Sequence, residues 1–261
     1  MLETLEDIEK AAVKDPMRVA SLSAKSQLRK RFYEQATVFS DAKNINIHLD
    51  GKSIKTPGGE VLSLPNIHVG ELVVEEWNRQ EERIDPQTMP VTRLINTSID
   101  GVSKDMQPVK NDIIQFAGSD LLCYRADSPE ELIANQQQYW DSLIEWAGSS
   151  LGAAFSVQTG IMHVSQSNEC IAAFGEHVNP IETPALLTAL HSLTAISGSA
   201  IIAMAIYKGE IDLAYGWNAA HVDEDWQISQ WGEDSDAQAF RAARKLEFEA
   251  AIQLLEALAR K

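Results

Sequence analysis

The sequence predicts an α+β fold: a small antiparallel-sheet N-terminal domain followed by a larger, mainly helical C-terminal domain. Two observations carry this reading. Short alternating runs broken by Asp50-Gly51 and Pro57-Gly58-Gly59 crowd residues 35 to 64, whereas apolar residues beyond Val69 recur mostly at helical spacing. No strand–helix–strand alternation is visible, so sheet and helices are segregated along the chain. The expected boundaries are an N-terminal helical extension over 1–28, a small α/β domain over 29–90 and the mainly helical domain over 91–261.

Thr37 to Phe39, Ile45 to Leu49 and Ser53 to Lys55 read as strands, with Asp50-Gly51 as a hairpin turn. Val61 to Leu64 is a candidate for one more. Val69, Leu72, Val73 and Trp77 fall on one helical face, and Pro90 suits the first turn of a helix carrying Leu94, Ile95 and Ile99. Ile113, Ile114 and Ala117 continue the helical pattern. Leu121 to Tyr124 reads as a strand. Ser128-Pro129-Glu130-Glu131 reads as a helix start, with a capping serine, proline at the first position and acids in the first turn. Phe155 to Gln158 and Met162 to Val164 read as strands. Thr183-Pro184 opens an apolar helix pair, and Leu186 to Ile206 contains no Asp, Glu, Lys or Arg. Its Thr, Ser, His and Gly residues make it a poor membrane span and a good buried helix broken near Ser197-Gly198. Ala237 to Leu258 closes the chain as a long amphipathic helix, with Phe240, Ala243, Leu246, Ala250, Leu254 and Leu258 on one side.

The 261 residues carry a formal net charge of -16. That argues against nucleic acid and anionic membrane surfaces as partners and suits a basic one. Two cysteines, Cys123 and Cys170, form no CxxC pair. Cys123 lies in an apolar run and reads as a buried thiol in a reducing compartment. The acidic N-terminus, helical in pattern, lacks the character of a secretion or transit signal.

Nucleotide-binding and zinc-protease signatures are missing from the sequence: it holds no GxGxxG, no GxxxxGK[ST] and no HExxH. Of the six histidines only His221 is suggestively placed, where Asp223 and Asp225 offer further metal ligands. The plainer reading is that Asp223 to Asp225 begin the helix carrying Trp226 and Trp231. Those tryptophans are five apart and do not share a helical face cleanly, so the expectation is either one in the core with the other exposed or partly exposed, or both as core aromatics. Tryptophan is a favoured interface anchor, and neighbouring acids select a basic ring around a client pocket.

The segments Lys30-Arg31-Phe32-Tyr33, Leu49-Asp50-Gly51-Lys52, Met89-Pro90, Asn96-Thr97, Trp140-Asp141 and Trp231-Gly232-Glu233-Asp234, in that order and spacing, resemble the ATP synthase assembly-chaperone family that handles the alpha subunit of the soluble catalytic head. This is the assembly factor 2 family of mitochondria, with its alphaproteobacterial relatives. The resemblance spans residues 29 to 256. It rests on Lys30-Arg31-Phe32-Tyr33 with Val38, Leu49-Asp50-Gly51-Lys52, Lys55-Thr56-Pro57, and Glu76-Trp77 with Gln80. It continues through Ile84, Pro86, Met89-Pro90, Thr92, Leu94, Asn96-Thr97, Ile99-Asp100 and Asp120 to Ala126. It ends on Gln138, Trp140-Asp141, Thr159-Gly160, Gly198-Ser199, Asp223-Glu224 with Gln227, and Trp231-Gly232-Glu233-Asp234. Ser197 stands where a threonine is expected, and Tyr215-Gly216-Trp217 is an unusual version of its helix.

The resemblance implies a chaperone that is not an enzyme and needs no cofactor. It would bind the free alpha subunit and shield its interface until the beta subunit replaces it. The expected client-binding residues are Trp77, Glu224, Gln227, Trp231, Gly232, Glu233 and Asp234. The protein is expected to be a monomer without membrane insertion, in a bacterial cytoplasm, or in the mitochondrial matrix as a processed eukaryotic form. The alternatives are a metal-dependent hydrolase using His221, Asp223 and Asp225, and a constitutive subunit of a larger complex.

Overall fold

The computed structural model describes residues 28–41, 44–160, 162–232 and 234–260. The expected N-terminal helix therefore lies outside the described residues. A three-stranded antiparallel sheet comes first, in the order β1 (Ala36–Ser40), β2 (Ile45–Leu49), β3 (Lys52–Ser53). Asp50 and Gly51 turn the β2–β3 hairpin at φ 48° and 78°, the paired left-handed conformation that an Asp-Gly turn supplies. Val61 to Leu64 does not form a strand. It runs beside the sheet through single contacts, Leu62 N to Ile54 O at 3.1 Å and Leu64 N to Ile45 O at 2.8 Å.

Helix α1 (Ile67–Asn78) covers the sheet, its N-terminus capped by Asn66. Then come α2 (Pro90–Thr97), a π-helical turn over Ser98–Val102, and α3 (Gln107–Ala117). The expected strand at Leu121 is a 3-10 turn over Leu121–Cys123, because the Asp120 carboxylate accepts Leu122 N at 3.1 Å and winds the chain. It leads into β4 (Tyr124–Arg125), which pairs in parallel with β5 (Gln158–Thr159). Between them runs α4 (Glu130–Ser150). Its cap position is Pro129, held at ψ 168°, so the proline precedes the first helical residue. Ser128 bonds the Asp127 side chain instead of capping. Phe155 and Met162 to Val164 also stay outside strands. Phe155 packs edge-on against Phe174, and the Gln166 amide holds both backbone groups of Ser156, replacing a neighbouring strand with a side chain.

The helical remainder is α5 (Asn168–Val178), α6 (Pro184–Ser197), α7 (Ala200–Lys208), α8 (Leu213–Ala220), α9 (Val222–Trp231) and α10 (Ser235–Ala259). Gly198 breaks the apolar pair at φ 68°, and Ser199 caps α7 by accepting Ile202 N at 3.0 Å. Every residue of α7 from Ala200 to Ala205 is at most 1% exposed. α7 is the centre of the fold, packed by α3, α4, α6, α8 and α10. A helix apolar all round is stable only where neighbours enclose it.

The stripe expected along α10 holds only in its C-terminal half. Phe248, Ala251, Ile252, Leu254 and Leu255 are buried, whereas Phe240 is 67% and Leu246 43% exposed. In the N-terminal half, arginines make the tertiary contacts: Arg241 pairs with Asp225, and Arg244 donates to Ile196 O at 2.7 Å.

Candidate functional site: an acidic and aromatic surface on α9 and α10

Buried polar side chains position the surface. Gln136 of α4 donates to Asp223 at 2.7 Å and accepts Ala126 N at 2.8 Å. Trp140, fully buried one turn on, donates its indole N–H to Ala219 O at 2.7 Å. These bonds pin the start of α9 and the end of α8 to α4. The sequence reading places Gln136 on the wide face of its helix but gives it no positioning role, because its partner Asp223 is distant along the chain.

The three acids opening α9 have different surroundings. Asp223 is held by Gln136 and Asp225 by Arg241. The Glu224 carboxylate lies 3.9 Å from His221 Nε2 and 4.0 Å from Arg244 Nη1, beyond hydrogen-bond range of both. His221 stacks on Trp217 at 3.8 Å and shares a 2.8 Å contact with Trp217 O through Nδ1. Burial pushes its pKa below the ordinary histidine value, which favours the neutral ring. His221, Asp223 and Asp225 thus serve three separate partners. Among the described residues no group of three His, Cys, Asp or Glu is placed to hold a metal ion, which removes the geometric basis of the metal-hydrolase alternative.

Glu224, Gln227 and Trp231 follow one another at i, i+3 and i+7, so they share one face of α9 over about 10 Å of rise. Trp231 is 74% exposed. Its ring meets the half-buried Trp226 ring edge-on at 5.6 Å, so the two tryptophans touch although they do not share a face. Gly232 ends the helix at φ 78°. Asp234 caps α10, accepting Asp236 N and Ala237 N at 2.9 Å each. Glu233 lies outside the described residues. Trp77 belongs to a different place, half-buried on α1 against Tyr33 at 5.6 Å.

Three further carboxylates, all in the quoted segments, have no role in the sequence reading. Glu76 accepts Val91 N, Thr92 N and Thr92 Oγ1 at 2.6 to 2.7 Å, capping α2 from outside. Burial raises its pKa and those donors oppose the rise. Asp100 accepts Thr56 Oγ1 at 2.5 Å and Gly58 N at 2.8 Å, clasping the turn after β3. Asp120, wholly buried, accepts Ile201 N at 3.0 Å and so joins the 3-10 turn to α7. Burial pushes its pKa up to about 6.

Among the described residues no helix is long and apolar enough to cross a membrane. A profile of the ATP12 chaperone protein family matches residues 30–148. A crystal structure of Atp12 from Paracoccus denitrificans superposes with a TM-score of 0.80 at 32% identity, covering 89% of this chain and 99% of that one. A crystal structure of an Agrobacterium tumefaciens protein described as a candidate chaperone gives a TM-score of 0.85 at 44% identity, covering 94% and 92% of the two chains. The mitochondrial protein atp12 of Schizosaccharomyces pombe is 22% identical over 220 residues, 80% of this chain and 75% of its own.

Proposed function

This chain belongs to the ATP12 chaperone family, the ATP synthase assembly chaperones, and from that premise we propose that it binds the free alpha subunit of the catalytic head. It shields the interface of that subunit until the beta subunit takes its place. An unassembled subunit exposes a large apolar patch that invites aggregation. A cover that is weaker than the final partner hides the patch and leaves when the partner arrives. Binding alone performs this work, in a bacterial cytoplasm or a mitochondrial matrix.

The observation that carries the proposed site is Trp231, a large side chain 74% exposed beside the acids of α9. Exposed indole of this size is an anchor in want of a partner. Glu224 and Gln227 on the same face, with Gly232, Glu233 and Asp234 beyond it, make up the client surface, and Trp77 is the alternative location. The test is capture of purified alpha subunit and suppression of its aggregation. Trp231→Ala should leave stability within about 0.5 kcal/mol, as for most surface changes, and lose most of the binding. Glu233→Lys with Asp234→Lys should do the same at a cost of about 1–2 kcal/mol in capping and dipole contributions. Unchanged affinity in both folded variants would move the client site to the region of Trp77.

A further inference from the structure

In the short parallel pair β4–β5, no further strand is paired with the outer edge of β5 among the described residues. Gly160 N donates to Arg125 O at 2.8 Å, and Tyr124 and Arg125 pair with Gln158 and Thr159. Backbone groups alternate sides along a strand. Gln158 and Gly160 therefore face β4, whereas Val157 and Thr159 present their N–H and C=O groups to the opposite edge. Gln158 Nε2 takes the Thr159 carbonyl at 2.9 Å. Among the described residues, both backbone groups of Val157 and the N–H of Thr159 have no protein partner. Val157 is 44% exposed.

This edge adjoins a cavity. A space of about 360 Å³ opens between Arg125, Val157 and Thr159 on one side and α4 on the other. Ile133 and Ile144 give it apolar walls, and Asp141 and Glu145, one helical turn apart, line it with carboxylates. Arg125 is fixed, donating to Leu122 O at 2.9 Å and to Asp141 at 2.7 Å. Glu145 has no ion pair among the described residues. The cavity thus holds two carboxylates against one guanidinium, in a chain of net charge -16.

A free strand edge beside a side-chain pocket is the architecture of strand addition, in which main-chain bonds supply affinity and the pocket selects alternate side chains. We infer that an extended segment of the client adds to the outer edge of β5 and places a lysine or arginine in this cavity. The aliphatic stem lies along Ile133, Ile144 and Val157, and the cation meets Glu145 and Asp141. Gln136, buried, lines the same cavity and bonds Asp223 at the start of α9. The inference rests on the client-binding reading above and extends it to a second element.

The test is hydrogen exchange and affinity with purified alpha subunit as the probe. Binding should slow exchange at the amides of Val157 and Thr159. Glu145→Lys, at an exposed position, should weaken binding about tenfold or more through like-charge repulsion, and its loss should track the salt dependence of the wild type. Thr159→Pro removes an edge donor that the β4 ladder does not use and should weaken binding too. If the wild type binds while these amides stay unprotected and Glu145→Lys binds normally, the groove is refuted and the client reading stands. A wild type that captures no alpha subunit refutes both. Protection without alpha subunit also overturns the proposal: if it rises with protein concentration the occupant is a second copy, and if it disappears on removing residues 1–27 the occupant is that segment.

Discussion

Ile202 offers the sharpest test of how this fold is held together. It sits in α7, where it is fully buried, and its backbone N–H is already committed to the Ser199 hydroxyl at 3.0 Å. Replacement by Asp acts in two ways. Loss of the branched side chain costs about 2–5 kcal/mol, as for Ile→Ala in a closed core. The new carboxyl must also stay neutral at pH 7, and raising its pKa from about 3.9 to beyond 7 costs roughly another 4 kcal/mol. The sum, about 6–9 kcal/mol, equals or exceeds the whole stability of many domains, about 5–15 kcal/mol. Ile202→Asp should therefore be unfolded at neutral pH and partly rescued near pH 4. Ile202→Val, losing about 1 kcal/mol, and Ile202→Ala, losing about 2–5 kcal/mol, should fall between it and the wild type. Urea denaturation followed by far-ultraviolet circular dichroism reads the series, with shifted midpoints and an unchanged slope. A folded Ile202→Asp protein with the wild-type melting temperature would refute the central placement of α7.

Two further outcomes are expected. Asp120 titrates near pH 6 in the fold against an ordinary value of 3.8, so between those values the folded chain keeps a proton that the unfolded chain has released. Stability contributed by this group is therefore complete below pH 4 and lost as pH rises to about 6, by roughly 3 kcal/mol. The wild type should show this loss relative to Asp120→Asn when urea midpoints are compared from pH 4.5 to 7.5, and a difference of opposite sign would sink the assignment. At Gly58 an added Cβ would stand 2.4 Å from Asp100 Oδ1. Gly58→Ala should cost about 1–3 kcal/mol through overpacking, and much less when Asp100→Ala is already present. Equal costs in the two backgrounds would show that the clasp is not what the extra carbon disturbs.

Local backbone rules are what the sequence determined by itself. The Asp50-Gly51 hairpin, the helix start at Pro90 and the break at Ser197-Gly198 are all in place. Each depends on one residue's own φ preference or missing donor, which no distant contact has to supply. The mixed class and the buried, uncharged helix pair were legible for a similar reason, because periodicity and absence of charge belong to the chain itself. What each surface meets was decided only by tertiary structure. Leu121 to Cys123 has strand-like composition, but Asp120 bonds Leu122 N and draws it into a 3-10 turn. Phe240 and Leu246 keep the helical period of α10 yet stay exposed, because Arg241 and Arg244 make the inward contacts. The candidate surface divides in the same way. Trp231, Gly232 and Asp234 carry signals in their own residue types. The roles of Gln136, Asp223 and Asp225 depend on partners on other helices. A buried or paired polar group is stable only through the donor or acceptor that reaches it, and that partner is chosen by packing.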